Sequence, residues 1–388
     1  MTDKDLFPSS IHPPLPPTSE DEQFSRLRLL RSRRVGVTTY KRLLTEHGTA
    51  QNALAALPEV ARAAGVHEYE VCPEAVIQSE LNAARKAGAR LVMLGTPSYP
   101  DTLAQIEDAP PFLWIIGEAE LLHSPMISLV GARNASSLGV RMATALAREL
   151  GQAGNTVVSG LARGIDTAAH RAALETGTIA VLAGGVDVIY PSENKTLAGD
   201  IAGEGLLISE QPMGLRPIAR HFPSRNRIIS GLSRATIVVE AAAKSGSLIT
   251  ARDALDQGRD VLAVPGNPFD ARAAGCNQLI RDGAVLVRSA ADVIEAMSPI
   301  APPPSRNRSQ KPTPRKKVTE IQKPDTPLLR VAALHQQILD RLSPSPIAED
   351  QLIRDLAVGT HDAAPVLLEL ELEGRIARQS GGLLVRTK

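Results

Sequence analysis

The sequence predicts an α/β protein built on a doubly wound, largely parallel sheet, with a small helical domain before it and a winged helix after it. Three observations carry that prediction. From about Ala89, apolar runs of strand length alternate with segments of helical period. The runs start 22–30 residues apart, the spacing of βα units. They are nearly continuous in Val, Ile, Leu and Ala, so both faces of the sheet must be covered. At 388 residues the chain has room for two or three domains of about 100–200 residues each.

Residues 1–22 are Pro-rich and lack a basic stretch followed by an apolar core, so they read as a disordered lead-in rather than a secretory signal. Residues 23–88 carry helix-spaced apolar positions in four short pieces, 24–33, 38–48, 50–57 and 73–88. The turn Val35-Gly36-Val37-Thr38 has a helix-hairpin-helix look, with Gly36 bending the chain and Thr38 capping the next helix. Such hairpins touch a DNA backbone; a plain helical accessory domain fits the same pattern.

Residues 89–297 form the α/β unit. Strands are expected at 126–130, 156–160, 178–185, 205–210, 235–241, 260–266 and 284–287. The helix from Gly139 lines up Val140, Ala143, Leu146, Ala147 and Leu150 on one face. Further helices are expected at 165–175, near Lys195 and at 247–258, and a long loop follows the strand at 205–210. Residues 298–326 lose all apolar period and fill with Pro, Lys and Arg, a flexible basic linker. Residues 327–388 read as three helices and two short strands about Ser380-Gly381-Gly382, the winged-helix plan.

Composition narrows the function. Lys+Arg is 43 against Asp+Glu 42, so a polybasic coat is excluded and a nucleic-acid site must be local. Aromatics are only 3%, so the core is aliphatic. Cys72 and Cys276 are the only cysteines, too few for a disulfide framework or a Cys-based zinc site. No run of about 18 apolar residues occurs, so no membrane span and a cytoplasmic setting are expected.

In an open α/β sheet, ligands bind outside the carboxyl ends of the strands. The loops there are Gly131 to Ser136, Ser159 to Asp166, Gly184-Gly185 with Tyr190-Pro191, and Lys244-Ser245-Gly246-Ser247 with Thr250 one turn on. Gly lets the backbone approach closely, and Ser, Thr and helix-start N–H groups bind anions. Arg133 and Arg163 add permanent charge, which makes a phosphate-binding rim. It is no ordinary nucleotide site: GxGxxG, GxxxxGK[ST] and GxSxG are missing, and no acid closes the second strand to hold a ribose. The eight His are scattered without metal-ligand spacing, so no metal is expected. His170 reads as structural and Asp166 as a helix cap. From Gln211 to Val239 there are Arg216, Arg220, Arg225, Arg227 and Arg234 and no Asp or Glu. Phosphate contact by these Arg, with Phe222 stacking on a base, accounts for the cluster.

The series VGARNASSLG, VSGLARGIDTAAH, LAGGVDVIYPSEN, SEQPMG, FPSRNRIISGLS, VVEAAAKSGSLITARDALDQGRDVLAVPGN and GCNQLIRDGA is similar to the DprA/Smf DNA-processing family, in family order over about residues 90–290. The resemblance implies an extended Rossmann-like fold, a SAM-like N-terminal domain and a homodimer. It implies binding of single-stranded DNA without sequence preference. It also implies loading of RecA recombinase in natural transformation and homologous recombination, with no catalysis and no cofactor. Cys276 stands where that family has Thr. Carried over by motif, the single-strand site comprises Gly131, Arg133, Ser136, Arg163, Phe222, Arg225, Asn226, Arg227, Ser245, Gly246 and Ser247; Lys244 joins on charge alone. Charge reversal at Arg225 and Arg227 is expected to abolish binding and spare the core. Ile280 and Leu286, on and after a short helix, are expected at the two-fold interface.

Two rival readings remain. A nucleoside-monophosphate phosphoribohydrolase needs a PGGxGTxxE-like stretch; Lys244 to Thr250 lacks the double Gly, and Asp253 is its nearest acid. A sequence-specific winged-helix regulator needs a basic third helix, but 361–373 carries Asp362, Glu369, Glu371 and Glu373 with no Lys or Arg. That helix is expected to contact protein or only to pack. Arg375, Arg378, Arg386 and Lys388 leave backbone contact by the wing open.

Overall fold

The computed structural model describes residues 20–298, 338–339, 347–349, 352–353, 360–379 and 383–387. The chain separates into two compact units between Ala301 and Pro302. Most of the expected lead-in, almost all of the linker and most of the first two winged-helix helices lie outside the described residues.

Four helices open the first unit: α1 (Glu20–Arg31), α2 (Val37–His47), α3 (Ala50–Ala63) and α4 (Glu74–Ala87). Thr49 caps α3 by accepting from Asn52 N at 3.2 Å. The residue at the N-cap of α2 is Gly36, without a side-chain cap, so the capping expected of Thr38 is corrected: Thr38 already lies inside the helix. The apolar stripes of these helices do not close a core of their own. Leu27, Leu29, Leu43 and Ile77 share one cluster with Phe112, Trp114, Leu182 and Leu207 of the sheet. Each such fully buried large side chain stabilises by roughly 1.5–3 kcal/mol. Glu80 is satisfied within this seam, accepting from Trp114 Nε1 and Arg31 Nη2, both at 2.8 Å.

The sheet of the first unit has nine strands in the order β1-β2-β6-β5-β4-β3-β7-β8-β9. They are β1 (Arg90–Met93), β2 (Phe112–Gly117), β3 (Met126–Val130), β4 (Thr156–Ser159), β5 (Thr178–Val181), β6 (Leu206–Ser209), β7 (Ala235–Val238), β8 (Asp260–Ala263) and β9 (Val285–Leu286). From β6 to β9 every neighbouring pair is parallel. The sequence reading missed β1 and β2, which extend the sheet antiparallel beyond β6. Pro110 and Pro111 just before β2 mask an apolar run that is otherwise plain in Phe112 to Ile116.

The chain leaves β3 to one side through β4, β5 and β6, then returns on the other side at β7. The switch point therefore lies between β3 and β7. Around the sheet run α5 (Asp101–Ala104), α6 (Ser137–Gln152), α7 (Ile165–Ala173), α8 (Lys195–Glu204), α9 (His221–Leu232), α10 (Ser247–Asp256), α11 (Ala274–Arg281) and α12 (Ala290–Met297). Helix α9 corrects the expected long loop. Its polar Arg, Asn and Ser residues hide the period, and burial of Ile228, Ile229 and Leu232 against the sheet holds it helical.

The second unit contains α13 (Thr360–Leu372) and a sheet of β10 (Ile347–Ala348), β12 (Leu383–Arg386) and β11 (Ile376–Gln379), in that order and antiparallel. Ala363, Val366, Leu367 and Leu370 form the buried stripe of α13. Arg378 is paired with Glu349 and lies 3.6 Å from Glu371. That contact neutralises one of the basic residues noted for the wing.

Candidate functional site

A cleft of about 640 Å³ opens at the carboxyl ends of β3 and β7, at the switch point. Its walls are the loop after β3, the start of α10 and one face of α9. Phe222, Arg225, Asn226 and Ile229 line it together, a helical i, i+3, i+4, i+7 stripe. Ser245, Gly246 and Ser247 open α10 there, with Ser245 Oγ 2.7 Å from Ser247 Oγ. The orphan N–H groups of that helix start give the cleft an anion-binding wall.

Arg133, Lys244 and Arg225 are cations of two kinds. Arg133 and Lys244 are exposed at the rim, and neither has an acidic partner within 4 Å among the described residues. Arg225 lies beneath the floor, only 5% exposed. It donates from Nη1 to Val181 O at 2.8 Å, while its Nε has no hydrogen-bond partner. Burial pulls this guanidinium down to about 10, so it stays charged at neutral pH. Among the described residues Asp166 is the one acid in the cleft lining, and burial raises its carboxyl against the pull of Arg225.

The turn between β4 and α7 is held from behind. Asp166 does not cap α7 as expected; its Oδ2 accepts from Gly160 N at 3.1 Å and Ala162 N at 3.3 Å. His170 Nε2 accepts from Leu161 N at 3.3 Å, so the proton sits on Nδ1, 2.7 Å from Thr178 Oγ1. Leu161 takes the left-handed φ of 56° that these bonds impose. Asn194 Nδ2 donates to Leu161 O at 2.9 Å. A Cβ on Gly160 would stand 1.7 Å from Arg225 Nη1, so any side chain there displaces that guanidinium. The SGLARGIDTAAH motif thus folds back on itself and fixes Arg163 at the edge of the cleft. Arg163 is exposed and 3.6 Å from Glu193.

Phe222 is flanked by two groups. The Arg133 guanidinium lies 5.2 Å from its ring centroid, and Tyr190 meets it edge-on at 5.8 Å. Tyr190 itself is half exposed.

Arg133, Phe222, Arg225, Asn226, Lys244, Ser245, Gly246 and Ser247 are brought together in one cleft, with Arg163 beside it. Three expected residues stand elsewhere. Arg227 is two positions from Arg225, about 200° round the helix, and points away. Its guanidinium lies 3.0 Å from Asp108 and 2.5 Å from Glu210. Ser136 caps α6 by accepting from Gly139 N at 2.9 Å and donates to Glu240. Gly131 makes room, since a Cβ there would lie 2.6 Å from Ile165 Cγ1. Sequence reasoning missed Asn134, Arg272 and the brace Glu240, whose backbone carbonyl accepts from Ala132 N at 2.7 Å. A lone acid straight after a strand at the switch point was the available signal for Glu240.

Fold and cleft together define an α/β protein with a cationic, aromatic-edged site at its switch point. The profile of DNA recombination-mediator protein A matches residues 90–298, that of the DprA-like N-terminal HHH domain 20–83, and that of the DprA winged helix domain 322–382. The chain is 36% identical over 307 residues to protein Smf of Synechocystis sp., covering 74% of this chain and 77% of that one. It is 47% identical over 198 residues to the DNA processing protein DprA of Streptococcus pneumoniae, 50% of this chain and 70% of that one. The solved structure of DprA from Streptococcus pneumoniae superposes with a TM-score of 0.60 at 36% identity, covering 70% of this chain and 97% of that one. DprA from Helicobacter pylori, whose structure describes its single-stranded DNA binding mode, gives 0.50 at 30% identity over 53% and 95%. The chain belongs to the DNA recombination-mediator protein A (DprA/Smf) family.

Proposed function

We propose that this protein binds single-stranded DNA without sequence preference along the carboxyl edge of its sheet. In this reading it serves DNA processing in natural transformation and homologous recombination by loading RecA recombinase onto the strand. The observation that carries the reading is the charge arrangement: rim cations Arg133 and Lys244, without acidic partners among the described residues, over the buried Arg225 with its open Nε. Such an arrangement recognises phosphates, and Phe222 beside it offers a ring to a base of any sequence. The single-strand binding described for the Helicobacter pylori relative supports the same ligand. Binding rather than catalysis fits the acids: Asp166 is occupied by two backbone N–H groups, and Asp253 lies outside the cleft lining, beside Asp108 and Arg227.

The protein is proposed to act as a dimer through the sheet edge at β9, where Val285 and Leu286 are exposed and Ile280 of α11 is half buried. The test is a gel shift of single- and double-stranded DNA with purified protein, with and without RecA. Preference for the single strand, and faster RecA filament growth on it, are expected. Equal or absent binding of both forms contradicts the reading.

A further inference from the structure

Phe269 is the most exposed large apolar side chain among the described residues, at 98%. It does not stand on a loose loop. Asn277 brackets Gly266 with two hydrogen bonds, of 3.1 Å to its N–H and 3.0 Å to its carbonyl. Asn267 Oδ1 accepts from Phe269 N at 2.9 Å, and Asp270 ties Arg272 through backbone and guanidinium. The ring is held out into solvent by a braced turn, against the hydrophobic cost of exposing it. In a chain with five Phe, that placement calls for an occupant.

The topology says which. Taken in sheet order, the carboxyl edge presents Tyr190 after β5, Arg163 after β4, Arg133 after β3, Lys244 after β7, and Phe269 with Arg272 after β8. Arg272 lines the cleft, so the turn that carries Phe269 reaches it from the β8 side, while Phe222 and Tyr190 meet on the side of Gly160 and Arg163. Aromatic rings at both ends with cations between them fit a chain of bases and phosphates. The span from β5 to β8 is three inner strand positions plus the last step, about 19 Å at 4.8 Å per strand. At 3.4 Å or more per nucleotide this holds about six nucleotides at most.

Resting on the single-strand reading above, we propose that Phe269 is a second stacking platform, covered by a nucleobase where the strand passes the β8 end of the cleft. The full-length Phe269→Trp protein tests it, because the one native tryptophan, Trp114, is buried and bonded to Glu80. Titration with an oligothymidylate of about 20 nucleotides, longer than such footprints, should quench the solvent-exposed indole emission. The midpoint should match that of the anisotropy of a labelled strand. Phe269→Ala should bind roughly fivefold or more weakly, with its salt slope and melting temperature unchanged. A strand that binds with no quenching, and with Phe269→Ala equal to wild type, overturns the platform and leaves the cleft reading intact. Conversion of the dimer to monomer by Phe269→Ala also overturns it, by showing that a second copy covers the ring. No strand binding to the wild-type protein fails the cleft reading and this proposal together.

Discussion

Arg225 and Arg227 share a helix but not a role. Arg225 is a buried cation under the cleft; Arg227 is clamped between Asp108 and Glu210. Arg225→Glu places a second buried carboxylate beside Asp166, so a loss of about 3 kcal/mol or more is expected in chemical denaturation. Arg225→Met removes the costly buried charge instead. It also leaves Asp166 without its neighbouring cation, so it too should cost about 3 kcal/mol while losing strand affinity. Arg227→Ala leaves Glu210 unpaired and should cost about 3 kcal/mol without changing the salt slope of binding. The sequence showed both arginines but not the helix phase that separates them, so both read as surface contacts whose reversal spares the core.

His170 gives a pH test at the same scale. Burial lowers its imidazole from 6.5 to about 3 in the folded protein. The unfolded chain therefore takes up the extra proton as pH falls. The stability tied to neutral His170 is full above pH 6.5 and is lost as pH drops toward 3. At pH 5 the expected loss is about 2 kcal/mol, from 1.5 units at 1.36 kcal/mol each. His170→Gln should lack this component, which denaturant melts at pH 7 and pH 5 will show. Asp253, raised to about 6 mainly by burial, works in the opposite sense, so the comparison with the variant is the informative one.

Among the elements, the β4–α7 turn and α9 build the site as a pair. Gly160 is absent a side chain because the Arg225 guanidinium occupies that space. Gly160→Ala should displace Arg225 at a cost of about 1–3 kcal/mol and weaken binding, measured by melting and by strand titration. The parallel strands were legible because both-face burial leaves nearly unbroken apolar runs, as in Met126 to Val130, where only Ser128 is polar. Helix α9 was not, because Arg225 and Asn226 interrupt its cleft face between Phe222 and Ile229, and polar residues there read as a loop. Its period was there to be read in the spacing of 222, 225, 226 and 229. The loop-facing role of Asp166 was hidden likewise, since a cap and a brace use the same acid near a helix start.

For the whole molecule, the candidate site lies entirely in the first unit. A fragment of residues 1–300 should fold and bind the single strand, with affinity only modestly reduced by loss of the basic residues in 298–326. Complete loss would place the site in the second unit. Leu286→Glu puts a charge on the exposed sheet edge at β9 and should give monomers in light scattering. An unchanged dimer would move the interface elsewhere. The central claim is that rim cations of the switch-point cleft neutralise phosphates, and the salt dependence of strand binding tests it most directly. Each phosphate contact on a single strand contributes about 0.7 to the slope of log K against log salt. For Arg133→Ala with Lys244→Ala, two exposed changes, the slope should fall by about 1.4 with the melting temperature unchanged. A slope and affinity equal to wild type in that variant would contradict the account.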